Sequence, residues 1–411
     1  MQTQLSAEFE ASRDGQEAQA ILRKCVHCGF CNATCPTYQL LGDELDGPRG
    51  RIYLIKQVLE GGAVTRSTQQ HLDRCLTCLN CQTTCPSGVE YGHLIDIGRK
   101  IVDARVRRPA AERSVRWLLK EGLTSRLFAP AMRLGQALRP LLPAAFRKYI
   151  PPRAVHSSVG PASGPAHRRQ VLMLQGCVQP SMMPNIDAAA VRVLAAAGIG
   201  VVQSGVAGCC GALRTHLGDH DGGLANMRRN IDAWMPIVAA GEVEAIVASA
   251  TACSLALKEY GHALAGDPQY AQKAARISAL ARDLSEFLPD LVHALKNRLR
   301  RDGPRRLAVH SPCTLQHGQQ LRGGIEAHLR ALGFEVAVAN SESHFCCGSA
   351  GAYSLLQPDL ALRLRDRKLR LLAALDPQTI VSANMGCIQH LQSGTRTQVM
   401  HWVEVLDGSL T

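Results

Sequence analysis

Aromatic residues are scarce in this 411-residue chain, and it has no long apolar run. Phe, Tyr and Trp together make up 4% of the residues, and they do not alternate with basic residues as in RNA-binding sheets, so we expect no nucleic-acid partner. The longest uncharged run, residues 193–213, contains five glycines and a Cys-Cys pair, which argues against a membrane-spanning helix. The first twenty residues are polar and predict no export signal, hence a cytoplasmic protein.

Cysteine, in contrast, is abundant. The chain has 16 cysteines, mostly in tight groups, with 46% hydrophobic and 19% charged residues overall. This composition predicts a globular protein of two or three domains. Grouped cysteines in a chain of this length favour a metal-containing intracellular protein over a small disulfide-linked scaffold.

Two runs of cysteines, in residues 25–36 and 75–86, share the spacing C-x2-C-x2-C-x3-C-P. Three thiolates two residues apart can bind three corners of an iron-sulfur cubane, and the fourth, turned away by proline, reaches the other cluster. Zinc sites usually use two separated pairs of ligands, and disulfides are disfavoured in a reducing compartment. The spacing therefore predicts two [4Fe-4S] clusters with crossed ligands. These are Cys25, Cys28, Cys31 and Cys85 for cluster 1, and Cys75, Cys78, Cys81 and Cys35 for cluster 2.

Apolar residues at helical spacing in residues 52–59 predict an amphipathic helix between the two runs. Two interpretations of Arg49 and Arg51, just before it, remain open: they tune the potential of the anionic clusters, or they are solvated charges on a turn. His27 and His71 lie near the runs, but the eight ligand positions are already filled, so we assign them no role.

The C-terminal part is an internal repeat. Residues 171–177 match 307–313, each a short apolar run ending in cysteine, and further apolar runs and Cys-Cys-Gly triplets recur in the same order. Strands that alternate with helices predict parallel α/β sheets, whose carboxyl-end loops converge on one site. Each half is thus expected to gather four cysteines at one sheet edge. They are Cys177, Cys209, Cys210 and Cys253 in the first half, and Cys313, Cys346, Cys347 and Cys387 in the second.

Two interpretations of these eight cysteines remain open. They form an additional iron-sulfur cluster or redox thiol site in each half, or they are small buried hydrophobic residues in a duplicated fold. Adjacent cysteines at matching positions in both copies favour the functional interpretation. The nearby histidines are expected to be hydrogen-bonded neighbours rather than ligands. They are His310, His317, His344 and His390.

The net charge of +12 is concentrated in residues 105–153, which hold twelve basic residues and only two acidic ones, Glu112 and Glu121. Leucines and Trp117 recur there at roughly helical spacing, which suits an anionic membrane surface. The alternative, which we favour, is a helical arm packed on the C-terminal domain or docked to an acidic partner subunit. Residues 151–167, rich in Pro, Gly and Ser, predict an exposed linker.

These features predict an α+β multidomain protein. An α-helical, ferredoxin-like domain with two clusters would be followed by a duplicated α/β cysteine-rich (CCG) domain. The expected boundaries are 1–104 for the two-cluster domain, 105–169 for the basic connector and linker, and 170–300 and 301–411 for the two CCG domains.

The paired cysteine runs, the Gly-Pro-Arg-Gly-Arg turn at 47–51 and the two CCG halves resemble the iron-sulfur subunits of bacterial glycolate oxidase over nearly the whole chain. The resemblance implies an oxidoreductase complex in which two FAD-binding partner subunits oxidise glycolate to glyoxylate. This chain, which has no flavin-binding signature of its own, would pass electrons toward the quinone pool, in peripheral contact with the inner face of the cytoplasmic membrane. No catalytic residue is assigned to it.

Related layouts keep other functions open: an iron-sulfur subunit of a glycerol-3-phosphate or lactate dehydrogenase, or a thiol redox protein similar to heterodisulfide reductase. In the wider CCG family each domain usually ends in C-x2-C, whereas Cys253 and Cys387 are followed by no such second cysteine. This difference disfavours the unusual clusters of heterodisulfide reductase, although four cysteines suffice for a cubane.

Overall fold

The computed structural model describes residues 1–125, 127–143, 147, 150–152, 168–300 and 303–411. Apart from Pro151 and Pro152, the expected exposed linker lies outside these residues. The N-terminal part is helical. Its α-helices are α1 Ala7–Glu10, α2 Arg13–Lys24, α3 Phe30–Ala33, α4 Pro36–Leu41, α5 Pro48–Leu59, α6 Arg66–Asp73, α7 Asn80–Thr84 and α8 Tyr91–Arg105, with a 3-10 turn at Glu44–Asp46.

Helix α5 is the amphipathic helix predicted between the cysteine runs. Pro48 stands in its first turn, where the missing backbone N–H is harmless. Ile52 and Ile55 on its inner face are buried in the core of this domain, and α5 crosses α8 so closely that a Cβ at Gly98 would meet Ile55 at 2.6 Å. The helix therefore fixes the spacing between the two cysteine runs.

The C-terminal part contains two parallel sheets of the same topology, as the sequence repeat predicts. In the described residues the strand order is β2-β1-β3-β4 in the first and β6-β5-β7-β8 in the second. The strands are β1 Arg169–Met173, β2 Ile199–Val202, β3 Ala245–Ala248, β4 Ala281–Asp283, β5 Arg306–Val309, β6 Glu335–Ala337, β7 Thr379–Ser382 and β8 Gln398–His401. The fourth strand of each sheet, β4 or β8, is not predicted by the repeat.

Helices connect these strands and cover both sheets. In the first half they are α11 Gln179–Met182, α12 Pro184–Ala196, α13 Ala212–His216, α14 His220–Ala239, α15 Thr251–Lys258, α16 Tyr260–Ala263, α17 Ala271–Leu280 and α18 Leu288–Leu295, with a 3-10 turn at Leu284–Phe287. In the second half they are α19 Gly324–Ala331, α20 Tyr353–Leu356, α21 Pro358–Ala373, α22 Met385–Gln392 and α23 Trp402–Ser409, with a π-turn at Thr314–Gly318.

The two halves share one hydrophobic core that draws buried residues from both sheets. Helix α12 of the first half packs on α23 of the second, and Arg192 binds Asp407 across this contact through two hydrogen bonds of 2.6 and 2.7 Å. The duplicated domain is therefore a single packed unit rather than two loosely tethered copies.

The connector forms helix α9 Ala110–Thr124, helix α10 Phe128–Ala137 and a 3-10 turn at Arg139–Leu141. Two of its basic residues pair with the first domain: Arg108 and Arg116 bind Asp73 at 2.5 and 3.2 Å, whereas others, such as Arg133, are exposed. Many of its apolar side chains are also exposed, and α9 buries none of its residues. None of the helices in the described residues has the length and apolar character needed to cross a membrane.

The first domain also contacts the first CCG half through stacked imidazoles. The rings of His93 and His262 lie 3.8 Å apart at an angle of 3°. His93 binds Glu259 at 3.1 Å, and His262 binds Glu17 at 2.8 Å. The hydrogen bond to Glu259 raises the pKa of His93 despite partial burial, and the same bond lowers the pKa of Glu259.

We expect this contact to weaken in alkali. Because the pKa of His93 is raised in the folded protein, its contribution to stability is complete below the ordinary value of about 6.5 and is lost as pH rises through the folded value. The lowered pKa of Glu259 adds stability above about 4.3. As pH rises above about 6.5, hydrogen exchange of α8 and α16, corrected for its intrinsic pH dependence, should therefore accelerate. In a His93→Gln variant this acceleration should disappear, and its persistence would contradict the assignment.

Candidate metal centres

Both cysteine runs of the first domain fold into the same strained loop. His27 and Gly29 in the first run, and Thr77 and Leu79 in the second, all have φ between 51° and 87°. Non-glycine residues rarely adopt this left-handed conformation, and it persists at sites that the surrounding structure holds in place. The strained backbone of each loop thus turns consecutive thiols toward one point, and this strain costs free energy.

The thiols proposed for cluster 1 line a common cavity. Cys25, Cys28, Cys31 and Cys85 all contribute to its wall, beside Pro86. Burial, followed by the charge of Cys25 and then of Cys85 and Cys28, raises the pKa of Cys31 to about 12. Closely spaced thiols that oppose one another's ionisation need a cation to become thiolates, so this donor set fits an iron-sulfur cluster.

The thiols proposed for cluster 2 form a second buried group. Burial raises the pKa of Cys81 well above its usual range, and the charges of Cys78, Cys35 and Cys75 add to this effect. The structure therefore brings Cys35 of the first run to the three cysteines of the second. All sixteen cysteines lie within the described residues, and all have free thiols rather than disulfides.

Arg51 lies against this second group. Its side chain is 1% exposed. It donates hydrogen bonds to the carbonyl oxygen of His71 at 2.7 Å and to the hydroxyl of Thr37 at 3.2 Å, and it approaches the sulfur of Cys35 at 4.0 Å. For Arg51, solvated charge on a turn is therefore the wrong interpretation, because the guanidinium is buried beside a candidate ligand.

The charge of Arg51 acts on the nearest thiols. Burial would raise the pKa of Cys75, but the positive charges of Arg51 and Arg99 outweigh it and lower the pKa. The pair Arg49 and Glu44, at 2.6 Å, is about one third exposed. Arg51 is thus buried beside a candidate cluster ligand, whereas Arg49, in the same turn, is partly exposed.

The first CCG group forms at the carboxyl ends of β1 and β3 and in the loop after β2. The sulfur atoms of Cys210 and Cys253 are 3.6 Å apart. Interaction with the thiols of Cys177 and Cys210 lowers the pKa of Cys209, and the same interactions raise the pKa of Cys177 and of Cys210. The four cysteines of this half therefore meet, as the sequence predicts.

The second CCG group has the same arrangement. The sulfur atoms of Cys313 and Cys346 are 3.8 Å apart. Side-chain contacts join Cys346 to Cys347 and Cys347 to Cys387. This group also touches the first domain: Cys78, a candidate ligand of cluster 2, shares a buried cluster with Cys313 and Cys346. No sequence pattern indicated that contact.

The four histidines near this group differ in their surroundings. His317 contacts Thr83 at 3.0 Å and the carbonyl oxygen of His344 at 2.9 Å, and His390 contacts the carbonyl oxygen of Ala361 at 3.1 Å. They are hydrogen-bonded neighbours, as expected. His310 is different, because one of its ring nitrogens lies within 4.8 Å of the sulfur atoms of Cys347 and Cys387.

Comparison with known proteins shows which families the chain matches. Residues 21–89 match the 4Fe-4S dicluster domain family, and residues 171–258 and 307–392 each match the cysteine-rich domain family called CCG. The chain is 52% identical to the glycolate oxidase iron-sulfur subunit of Escherichia coli K12, over 100% of this chain and 99% of that protein. The chain belongs to the family of glycolate oxidase iron-sulfur subunits.

More distant relatives align with most or part of the chain. A probable glycolate oxidase iron-sulfur subunit from Bacillus subtilis is 28% identical over 95% of this chain and 92% of that protein. Lactate utilization protein A from Geobacillus thermodenitrificans is 25% identical and aligns with 58% of this chain, over 98% of its own length. The predicted resemblance and fold class are thus confirmed, and the chain is the iron-sulfur component of an oxidoreductase.

Proposed function

We propose that this chain is the electron-transfer subunit of a flavin-dependent glycolate dehydrogenase, in which two FAD-binding partner subunits oxidise glycolate to glyoxylate. The main support is the placement of the cysteines of the first domain in two groups, one of which touches the second CCG group. When bound, iron-sulfur clusters accept and release single electrons. Electrons would leave toward the quinone pool, with the complex at the inner face of the cytoplasmic membrane.

The residues of this chain hold and insulate the clusters. We assign Cys25, Cys28, Cys31 and Cys85 to cluster 1, and Cys75, Cys78, Cys81 and Cys35 to cluster 2. Burial of Cys75 and Cys78 to 8% exposure excludes water from the second group and so limits loss of the cluster. The eight CCG cysteines form candidate sites for one or two additional clusters.

The function is tested by purifying the complex with its neighbouring gene products and measuring dye reduction with glycolate, D- and L-lactate and glycerol-3-phosphate. We expect glycolate to be oxidised fastest and flavin to be found only on the partner subunits. Faster oxidation of another substrate would assign the chain to a related dehydrogenase. Disulfide reduction by the isolated chain would instead support a thiol redox protein.

The crossed ligand assignment predicts the effect of Cys35→Ser. Because Cys35 lies among the thiols of the second run, this variant should perturb the cluster held by Cys75, Cys78 and Cys81, and the other cluster should remain intact. Anaerobic reconstitution followed by electron paramagnetic resonance measures the two signals. Cys85→Ser is the matched variant and should perturb the opposite cluster. Damage by Cys35→Ser to the cluster of Cys25, Cys28 and Cys31 alone would refute crossing.

We also propose that the connector docks one flavoprotein subunit. Its outer face exposes large apolar side chains, with Trp117 and Leu118 61% and 62% exposed, while Arg108 and Arg116 are occupied by acidic residues of the first domain. Exposed apolar side chains beside two cations that are already paired favour a protein partner over an anionic membrane. Arg126, part of the basic segment, lies outside the described residues.

A Trp117→Ser, Leu118→Ser double variant should therefore release the flavoprotein subunit during purification without changing vesicle binding. The matched control is Arg133→Glu, which changes an exposed charge on α10 and should leave the complex intact. If Trp117→Ser, Leu118→Ser retained the subunit but lost binding to anionic vesicles at low salt, the connector would be a membrane-binding segment.

A further inference from the structure

The second CCG group has one donor that the first group lacks. His310 follows β5 directly, and its ring lies beside Cys347 and Cys387, with the three ligand atoms within 4.8 Å of one another. The residue is 3% exposed, and its Nε2 atom has no hydrogen-bond partner among the described residues. A buried polar atom without a partner costs free energy unless something binds it.

The same position in the first half holds a leucine. Leu174 donates its backbone N–H to Val247 at 2.9 Å, and His310 donates its own to Val381 at 2.8 Å. These bonds place both residues after the first strand of their sheets, facing equivalent partners. The fold itself therefore does not require an imidazole here, and its presence in only one half points to a local function.

Two neighbouring histidines have other partners. His317 is bonded on both ring nitrogens, to Thr83 and to the carbonyl oxygen of His344. His390 is bonded through Nε2 to the carbonyl oxygen of Ala361. His310, in contrast, has a ring nitrogen close to the sulfur atoms of Cys347 and Cys387.

We propose that His310 is a nitrogen ligand of a metal centre held by the second CCG group, which would thus have mixed cysteine and histidine ligation. The first CCG group would provide sulfur ligands alone. Because imidazole is uncharged, a centre in which it replaces a thiolate has a higher reduction potential. The two halves would then differ in potential although their folds are the same. This inference depends on metal occupancy of the second group, which is part of the proposed function.

The test uses the full-length chain, reconstituted anaerobically with iron and sulfide, and pulsed electron paramagnetic resonance with natural or ¹⁵N-labelled histidine. We expect a nitrogen coupling that changes with the label. It should be lost in His310→Leu, which reproduces the first half, and in His310→Ala. It should remain in the matched controls His317→Gln and His390→Gln. The comparison of labelled and unlabelled wild-type chain needs no variant, so misfolding cannot produce the result.

Two outcomes would overturn the inference. One is a wild-type chain without label-dependent coupling, or with coupling that survives in folded His310→Leu. The other is an iron content unchanged by Cys346→Ser, Cys347→Ser, which would show that the second group binds no metal. In that case the irons bound by the N-terminal cysteines would still support the electron-transfer function, so failure of the inference and failure of the function are distinguishable.

Discussion

Replacing Arg51 with methionine is expected to destabilise the first domain by about 3 kcal/mol, the lower part of the range for removing one partner of a buried ion pair. Asp46, 1% exposed, would lose the guanidinium 3.6 Å away. His71 and Arg74, at 3.0 and 2.8 Å, would still partly compensate its charge. The measurement is the thermal midpoint of the reconstituted chain together with the rate at which its iron-sulfur absorbance bleaches.

The Arg51→Met variant should change the reduction potential of cluster 2 only. Arg51 lies near Cys35 and lowers the pKa of Cys75, so its loss removes positive charge from cluster 2 and should lower the reduction potential of that cluster. Arg51→Lys keeps the charge but not the forked hydrogen bonds to Thr37 and His71, and should restore only part of the stability.

Arg49→Met is the matched control from the same turn. Its partner Glu44 is 39% exposed, and a surface ion pair of this kind contributes about 0–1 kcal/mol. Equal losses in stability and potential for the two variants would show that the buried position of Arg51 has no special effect.

The contrast between Arg49 and Arg51 shows which features of the site cannot be predicted from the sequence. Both lie in one Gly-Pro-Arg-Gly-Arg turn, and no local pattern distinguishes them. The burial of Arg51 depends on Thr37, Asp46 and the carbonyl oxygen of His71, which the fold brings in from separate segments. The cysteine runs, in contrast, could be predicted because ligand spacing is a local property of the chain.

The same distinction holds for the duplicated domain. The repeat predicts strands from short apolar runs that recur in both halves, such as β1 and β5, and places the cysteines after them. Strands β4 and β8 lie beyond the last repeated cysteine of their halves, so the repeat gives no signal for them. Contact between Cys78 and the second CCG group depends on domain packing, which spacing does not encode.

That contact gives the final prediction. Serine substitution of both Cys346 and Cys347 should reduce quinone reduction by at least about tenfold, equivalent to about 1.4 kcal/mol in activation free energy. The reason is position: Cys346 and Cys313 share a buried cluster with Cys78, and burial together with the charge of Cys313 raises the pKa of Cys78. Flavin reduction by substrate should be unchanged, since that chemistry takes place on a partner subunit.

The matched variant in the first half is Cys209→Ser, Cys210→Ser. Among the described residues, the buried cluster that contains Cys210 draws its members from residues 172–281, and so it includes no residue of the first domain. We therefore expect a smaller loss of quinone reduction from this variant, measured in the same complex with the same substrate. Equal losses of quinone reduction would place both groups on the electron path. No loss from either variant would indicate that the eight cysteines serve only in packing. A larger loss from the second group would instead identify the contact at Cys78 as the point where electrons pass between the two domains.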